Sequence, residues 1–373
     1  MSKAAELANL IGNINMGGGG VNRNVIINGA MNVAQRGTST TGIGASSGYF
    51  ACDRWKITTG NTAGRLTMTQ NSSAPSGFAN STKLACTTAD TSIAADEITI
   101  LGQSLEGQNV QAFAKGTSDA KPFVVSFYVK GNASATYVAE LYDHDNTRNV
   151  TQAFSVTTDW SQIELTFPAD TTGALDDDNA SSLTFQIWIH AGSTYTGGTF
   201  ADNTWASVTQ ANRYAGSRTS FFDSTDRTFF ITGVHLEVGQ NPTEFEHEPY
   251  ERTLAKCQRY TYSHNSATDA NGDAYSKMAL GANLTTTLSR VLVHLPCEMR
   301  TKPSLSTNTV SGMSLNHGSS ANTALSAISL NANSNNVLAL LECTVSSGLT
   351  AGDASILGAN NNDTAYILLD AEL

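Results

Sequence analysis

Charge is what this sequence has least of. Only 14% of its 373 residues are Asp, Glu, Lys or Arg, against roughly 25% in ordinary soluble domains. What charge there is leans acidic: 21 Lys and Arg face 32 Asp and Glu, for a formal net charge of −11. No basic run is present, and phosphate backbones and anionic bilayers are bound through clustered Lys and Arg. Nucleic acid is therefore not an expected partner. Nor does any stretch reach the roughly 20 apolar residues that a membrane-crossing helix needs. The opening Met1–Gly12 has no charged start followed by an apolar core, so it does not read as a secretory leader. Cysteine is sparse as well: Cys52, Cys86, Cys257, Cys297 and Cys343 are odd in number and widely scattered. They read as buried thiols made in a reducing cytosol, not as a disulfide framework. The seven histidines show no metal-type spacing, which argues against zinc.

Ser, Thr, Asn and Gly fill the gap left by charge. These residues are poor in helix interiors and suit turns and the open faces of antiparallel sheets. With 40% hydrophobic residues there is still enough to bury a real core. The length suits two or three domains.

The pattern along the chain is all-β. Val124–Lys130, Tyr137–Tyr142, Gln162–Phe167, Leu183–Ile189 and Thr228–Val238 alternate apolar and polar residues, with turn clusters between them. Period-two segments joined by short turns predict an antiparallel sandwich over residues 21–248. Gly233, inside the last of them, predicts a bulge. Pro249–Tyr260 has helical spacing and predicts a short connecting helix over residues 249–260. Strands are then expected near 258–264, 276–282, 286–295, 337–345 and 364–370, in a smaller β domain over 261–373. Ser311–Asn336 reads as loop or shallow strand.

At the front, Ala4, Leu7, Ala8, Leu10 and Ile11 share one helical face, with Ser2 placed to cap the helix and Gly12 to stop it. So short a helix is marginal in water and needs a surface to dock on. Residues 13–20 end in four glycines, a flexible joint. Residues 1–20 thus read as a docking peptide and linker.

Candidate chemistry is thin. Gly44–Gly48 matches the hydrolase G-x-S-x-G turn, but it lies in a Gly/Ser loop without the strand and helix that the motif requires. Asp143, Asp145, Asp176 and Asp178 gather oxygens of the kind that Ca²⁺ binds, although turn capping explains the same residues. No other cofactor is expected. The segment Ala191–Arg227 joins two strong strands and carries Tyr195, Trp205, Asn212 and Tyr214. Loops this long inside a compact domain are usually functional or mobile. Aromatic faces and amides suit sugar rings and hydroxyls, so these four residues form a glycan-site expectation, set against the alternative that Trp205 plugs the core.

Val21–Gly37, which reads VNRNVIINGAMNVAQRG, followed by Asp53-Arg-Trp55, resembles the opening of a widespread group of phage tail-fibre and virion structural proteins. Ile231–Gly239, Pro242–Tyr250 and Cys257–Tyr260 are similar to that group's closing strand and exit, with Glu248 standing where Arg is more usual. The resemblance implies a jelly roll like those of carbohydrate-binding modules, a homotrimer, and a place in the virion tail after synthesis in the host cytoplasm. It implies attachment to tail or baseplate proteins by the N-terminus and contact with a host cell-surface glycan or protein, without catalysis. A capsid-decorating or baseplate component, or a glycan-degrading tailspike, would share many of these marks.

Overall fold

The computed structural model describes residues 2–15, 22–307, 310–318 and 321–373. The expected Gly17–Gly20 joint lies outside the described residues. Helix α1 (Lys3–Asn15) starts where the sequence places it: the Ser2 hydroxyl accepts the Ala5 N–H at 3.2 Å. It runs on through Gly12, which costs a helix only about 1 kcal/mol and does not end this one. Of the expected docking face, Ala4, Leu7, Ala8 and Ile11 are exposed and Leu10 is half-buried.

The chain divides into two compact units, one up to Thr253 together with Leu373, the other Leu254–Glu372. The first is a jelly-roll β-sandwich. Its strands are β1 (Ser39–Ile43), β2 (Gly48–Tyr49), β3 (Lys56–Gly60), β4 (Arg65–Asn71), β5 (Ser81–Thr88), β6 (Ile98–Glu106) and β7 (Phe123–Gly131). Then come β8 (Ala135–Asp143), β9 (Arg148–Val156), β10 (Ser161–Phe167), β11 (Ser181–Ala191), β12 (Ala206–Ser207) and β13 (Thr228–Val238). One sheet has the order β1-β4-β5-β13-β7-β10 and the other β12-β9-β8-β11-β6-β3-β2. The five alternating segments read from sequence are all strands here. Their inward residues, among them Phe127, Phe185, Tyr137 and Phe229, fill the space between the sheets. Gly233 does form a bulge: the register against β7 shifts between Thr232 and His235, and its φ is +63°.

The N-I-I-N-G-A-M…Q-R-G and D-R-W residues turn out to be architecture. Asn24 bridges its own segment to β13, accepting the Leu236 N–H at 3.0 Å and donating to Val234 O at 3.0 Å. Asn28 donates to Val33 O and Asp53 O and accepts the Val33 N–H. The Trp55 indole donates back to Asn28 O at 3.2 Å. Asp53 accepts both the backbone and the side-chain N–H of Gln35. A Cβ at Gly29 would stand 2.2 Å from Val234 O, so only glycine lets this turn lie against β13. Each of these groups satisfies a buried donor or acceptor.

The helix Tyr250–Gln258 occupies the expected connecting segment. In the second unit, Thr261–Asn265, Lys277–Asn283, Leu288–His294, Leu338–Thr344 and Tyr366–Asp370 meet the expected strand positions within a few residues. The unit differs from the sequence reading at Ser311–Asn336, which holds the strands Met313–His317, Ala321–Ala324 and Ala327–Leu330, and at Ala354–Ala359, also a strand. These are small-residue strands whose period-two contrast is too weak to see in a single sequence. The unit packs a three-stranded and a seven-stranded sheet around an aliphatic core that includes Val291, Met313, Leu341 and Leu357.

Candidate functional site

In the seven-stranded sheet of the sandwich, pairing register lines up side chains on the face turned away from the core. Asn149, Tyr142, Thr184 and Ser104 form one row across β9, β8, β11 and β6. Thr151, Glu140, Gln186, Gly102 and Lys56 form the next, and Ala153, Val138, Trp188, Ile100 and Thr58 the third. The long Ala191–Arg227 connection folds back over the third row. Tyr214 stacks on Trp188 with ring centres 6.2 Å apart, and Tyr195 tilts against the same indole at 5.4 Å.

Arg213, at the end of the short turn Gln210–Asn212, reaches under this cover. Its guanidinium grips Glu140 with Nε–Oε1 at 2.9 Å and Nη2–Oε2 at 2.7 Å. Trp188 Nε1 donates to Glu140 Oε2 at 2.7 Å and Asn149 Nδ2 to Oε1 at 2.6 Å. A buried carboxylate with four donors is fully satisfied, which a buried ion pair requires. Arg213 also lies 4.5 Å from the Trp188 ring centre and 4.9 Å from that of Tyr142.

The first two rows are left partly open. Tyr142, Ser104, Gln186 and Lys56 are half-buried and His144, just beyond β8, is exposed. The His144 ring meets the Tyr142 ring at 4.7 Å, and its Nε2 bonds the Thr184 hydroxyl at 2.7 Å. That hydroxyl in turn bonds Ser104 Oγ at 3.0 Å. The Gln186 carbonyl oxygen takes a long 3.4 Å bond from Arg213, while its amide nitrogen has no partner among the described residues. Thr184 is buried beneath these bonds and positions its neighbours, so the strip is a pre-positioned aromatic edge beside the Ser104 hydroxyl, the Gln186 amide and the His144 imidazole. Such a set recognises a polyhydroxylated ring by stacking and neutral hydrogen bonds, and it carries no paired carboxylates.

The expected glycan residues are placed otherwise. Tyr214 is buried, its ring spent on Trp188 and its hydroxyl on Thr219 O at 2.8 Å. Trp205 packs against Phe123 at 5.9 Å and donates Nε1 to Pro168 O at 2.8 Å, so it plugs the sandwich end. Asn212 Oδ1 accepts the Thr199 N–H at 3.0 Å and holds the loop's own turn. Tyr195 is half-buried on Trp188. The four form no common aromatic platform: the loop's apolar residues serve to seat it on the sheet. Tyr142, Thr184, Ser104 and Gln186 were missed. Their signal was present as polar residues at every second place of otherwise apolar strands.

Three of the aspartates expected for Ca²⁺ have their carboxylates engaged by other partners. Asp143 is buried against the Lys115 ammonium at 2.5 Å. Asp145 Oδ2 accepts the Asp176 N–H at 2.9 Å, and Asp178 Oδ1 accepts the Ala180 N–H at 2.8 Å. The Asp178 bond closes a local turn, and the Asp145 bond joins two loops 31 residues apart. Among the described residues no group of three or more His, Cys, Asp or Glu side chains is arranged to hold a metal.

One further set has the residue types of a hydrolase. His190 Nδ1 bonds Ser220 Oγ at 2.8 Å and its Nε2 bonds Glu97 Oε2 at 3.0 Å. The imidazole is buried, burial holds its pKa below the usual histidine range, and the Phe222 ring lies against it at 5.1 Å. Ser220 Oγ also accepts the Phe222 N–H at 3.1 Å. In this arrangement the three residues clamp the end of the long connection to β11.

No family model and no curated protein matches the chain. Among solved structures it is similar to the enzymatically active domain of tailspike protein 4 of bacteriophage CBA120, with 11% identity over 58% of this chain and a TM-score of 0.30. It spans only 21% of that tailspike chain. It is also similar to a family 11 carbohydrate-binding module from Clostridium thermocellum, seen in complex with a β-1,3-1,4-mixed-linked tetrasaccharide, with 12% identity, 56% and 98% of the two chains and a TM-score of 0.27. TmCBM61 in complex with β-1,4-galactotriose shows 10% identity, 58% and 99% of the two chains and a TM-score of 0.30.

Proposed function

We propose that this chain is a structural, non-catalytic subunit of a phage tail fibre that contacts a host-surface glycan through the Tyr142 strip of its first unit. The observation that carries the glycan reading is the open strip itself. Tyr142, Thr184, Ser104 and Gln186 sit in register on three neighbouring strands, and a bonded network fixes them before any ligand arrives. Pre-ordering of this kind lowers the entropy cost of binding. The tail-fibre reading rests on the Val21–Gly37 and Asp53–Trp55 resemblance. It is helped by the exposed apolar face of α1, where Leu7 and Ile11 are 56% and 49% exposed, as a docking peptide would require. A homotrimer attached through residues 1–20 is part of the same proposal.

Two measurements test it. On a panel of host-derived and plant glycans, Tyr142→Ala should weaken the wild-type signal at least tenfold, a loss of about 1.4 kcal/mol, with an unchanged circular dichroism spectrum. Equal binding by the variant sinks the glycan reading. Gold-labelled antibody against the second unit should decorate tail fibres in electron micrographs of intact particles; label on the capsid shell would replace the fibre assignment with a decoration protein.

A further inference from the structure

The Lys115 side chain is wholly buried, yet it touches no single partner. Its ammonium lies 2.5 Å from Asp143 Oδ2, 3.1 Å from Asp170 Oδ2, 2.9 Å from Thr172 O and 2.8 Å from Gly173 O. Trp205 covers it with its ring centre 5.1 Å from Nζ. Four oxygens therefore converge on a group with three N–H bonds, and two of them are backbone carbonyls. An ordinary ion pair needs one carboxylate. Two carboxylates and two carbonyls, drawn from the end of β8 and from the loop after β10, are oxygen donors of the types a hard cation takes, four of the six to eight that Ca²⁺ needs, with the remainder left to water.

The carboxylates are themselves held from behind. Arg148 takes Asp170 with Nε–Oδ2 at 2.9 Å and Nη2–Oδ1 at 3.1 Å, and Asn146 donates to both oxygens of Asp143. Positions of this kind persist only when the surrounding bonds orient each ligand, as outer partners do around a metal ion. We propose that Lys115 is a tethered cation occupying a calcium-type cage, so that one end of the sandwich is cross-linked by the chain's own ammonium where a divalent ion would otherwise bind. The cage ties the loop that carries Lys115 to β8, to the loop after β10 and, through Trp205, to the long connection. It makes that end of the fold independent of calcium supply and resistant to chelators.

Removing the ammonium should unmask the cage. The full-length Lys115→Ala variant, refolded in parallel in millimolar CaCl₂ and in EDTA, should be folded with calcium and unfolded or markedly less stable without it. The expected rise in melting temperature on adding calcium is about 5–10 °C. The wild type should melt at the same temperature in both solutions. Terbium gives an independent readout, because Trp205 sits at contact distance: excitation of tryptophan should produce terbium emission in Lys115→Ala, not in the wild type. Emission should be lost in Lys115→Ala/Trp205→Phe while its calcium rescue persists. A variant equally folded, or equally unfolded, in both solutions overturns the proposal, as does a wild type destabilised by EDTA.

Discussion

The two units keep their polar groups in different places. In the first, buried Asp53, Glu97, Lys115, Glu140, Asp143, Asp170, His190, Arg213 and Glu237 lie inside or against the sandwich. In the second, no Asp, Glu, Lys, Arg or His is buried among the described residues, and the interior is aliphatic with Met299, Met313 and Cys343 among its members. The difference follows connection length. No connection between successive strands of the second unit is longer than the 11 residues between Asn265 and Lys277, whereas the first must seat the Ala191–Arg227 segment on a sheet. A loop laid on a sheet brings backbone polar groups with it, and buried charges with several bonds each can both satisfy and fix them. Long crossings need ionic anchors; short connections need only shape.

That comparison can be broken most sharply at Glu140. Its removal as Glu140→Ala leaves Arg213 buried without its carboxylate and should cost about 3–5 kcal/mol in urea unfolding. A cost under about 1 kcal/mol would mean the clamp is ornamental. Next in size is the pH response of His235. Burial among Phe245 and its neighbours pushes its pKa down to about 4, so the folded chain resists protonation at pH values where an unfolded one accepts it. Stability should then be complete above pH 6.5 and fall as pH drops toward 4, by about 3 kcal/mol for this group. Glu237, 4.0 Å away and with its pKa raised by burial, acts in the opposite direction. The term is therefore isolated by comparing the wild type with His235→Leu, which should show a flatter profile; identical slopes would remove it.

The smallest effect is expected in the second unit, where only inward residues should matter. Leu280 and Leu292 stand opposite each other on the outer face of its larger sheet, 69% and 43% exposed. Leu292→Ser should change unfolding free energy by no more than about 0.5 kcal/mol. Leu341→Ala, on the neighbouring strand but buried, should cost about 2–5 kcal/mol. Equal costs would show that the outer row is covered in solution.

Much of the framework was legible because it is local. Alternation in Val124–Lys130 or Leu183–Ile189 reports which side chain faces inward, and a glycine inside such a run reports a bulge. The sandwich and its bulge at Gly233 could be read that way. The site could not. Tyr142, Thr184 and Ser104 lie on strands separated by dozens of residues, and only hydrogen-bond register makes them neighbours. Trp205 and Tyr214 advertised a binding loop, yet whether an aromatic ring meets solvent or another ring depends on what folds over it.

The sequence by itself determined that this chain is β, poor in charge and built in alternating strands, since each of those properties is carried by residues one or two places apart. The tertiary structure alone decided that an ammonium would sit where four distant oxygens meet, and that the loop's aromatics would face inward and leave Tyr142 half open. Such choices depend on distances between segments remote in sequence, which pairing and packing set and which composition does not encode.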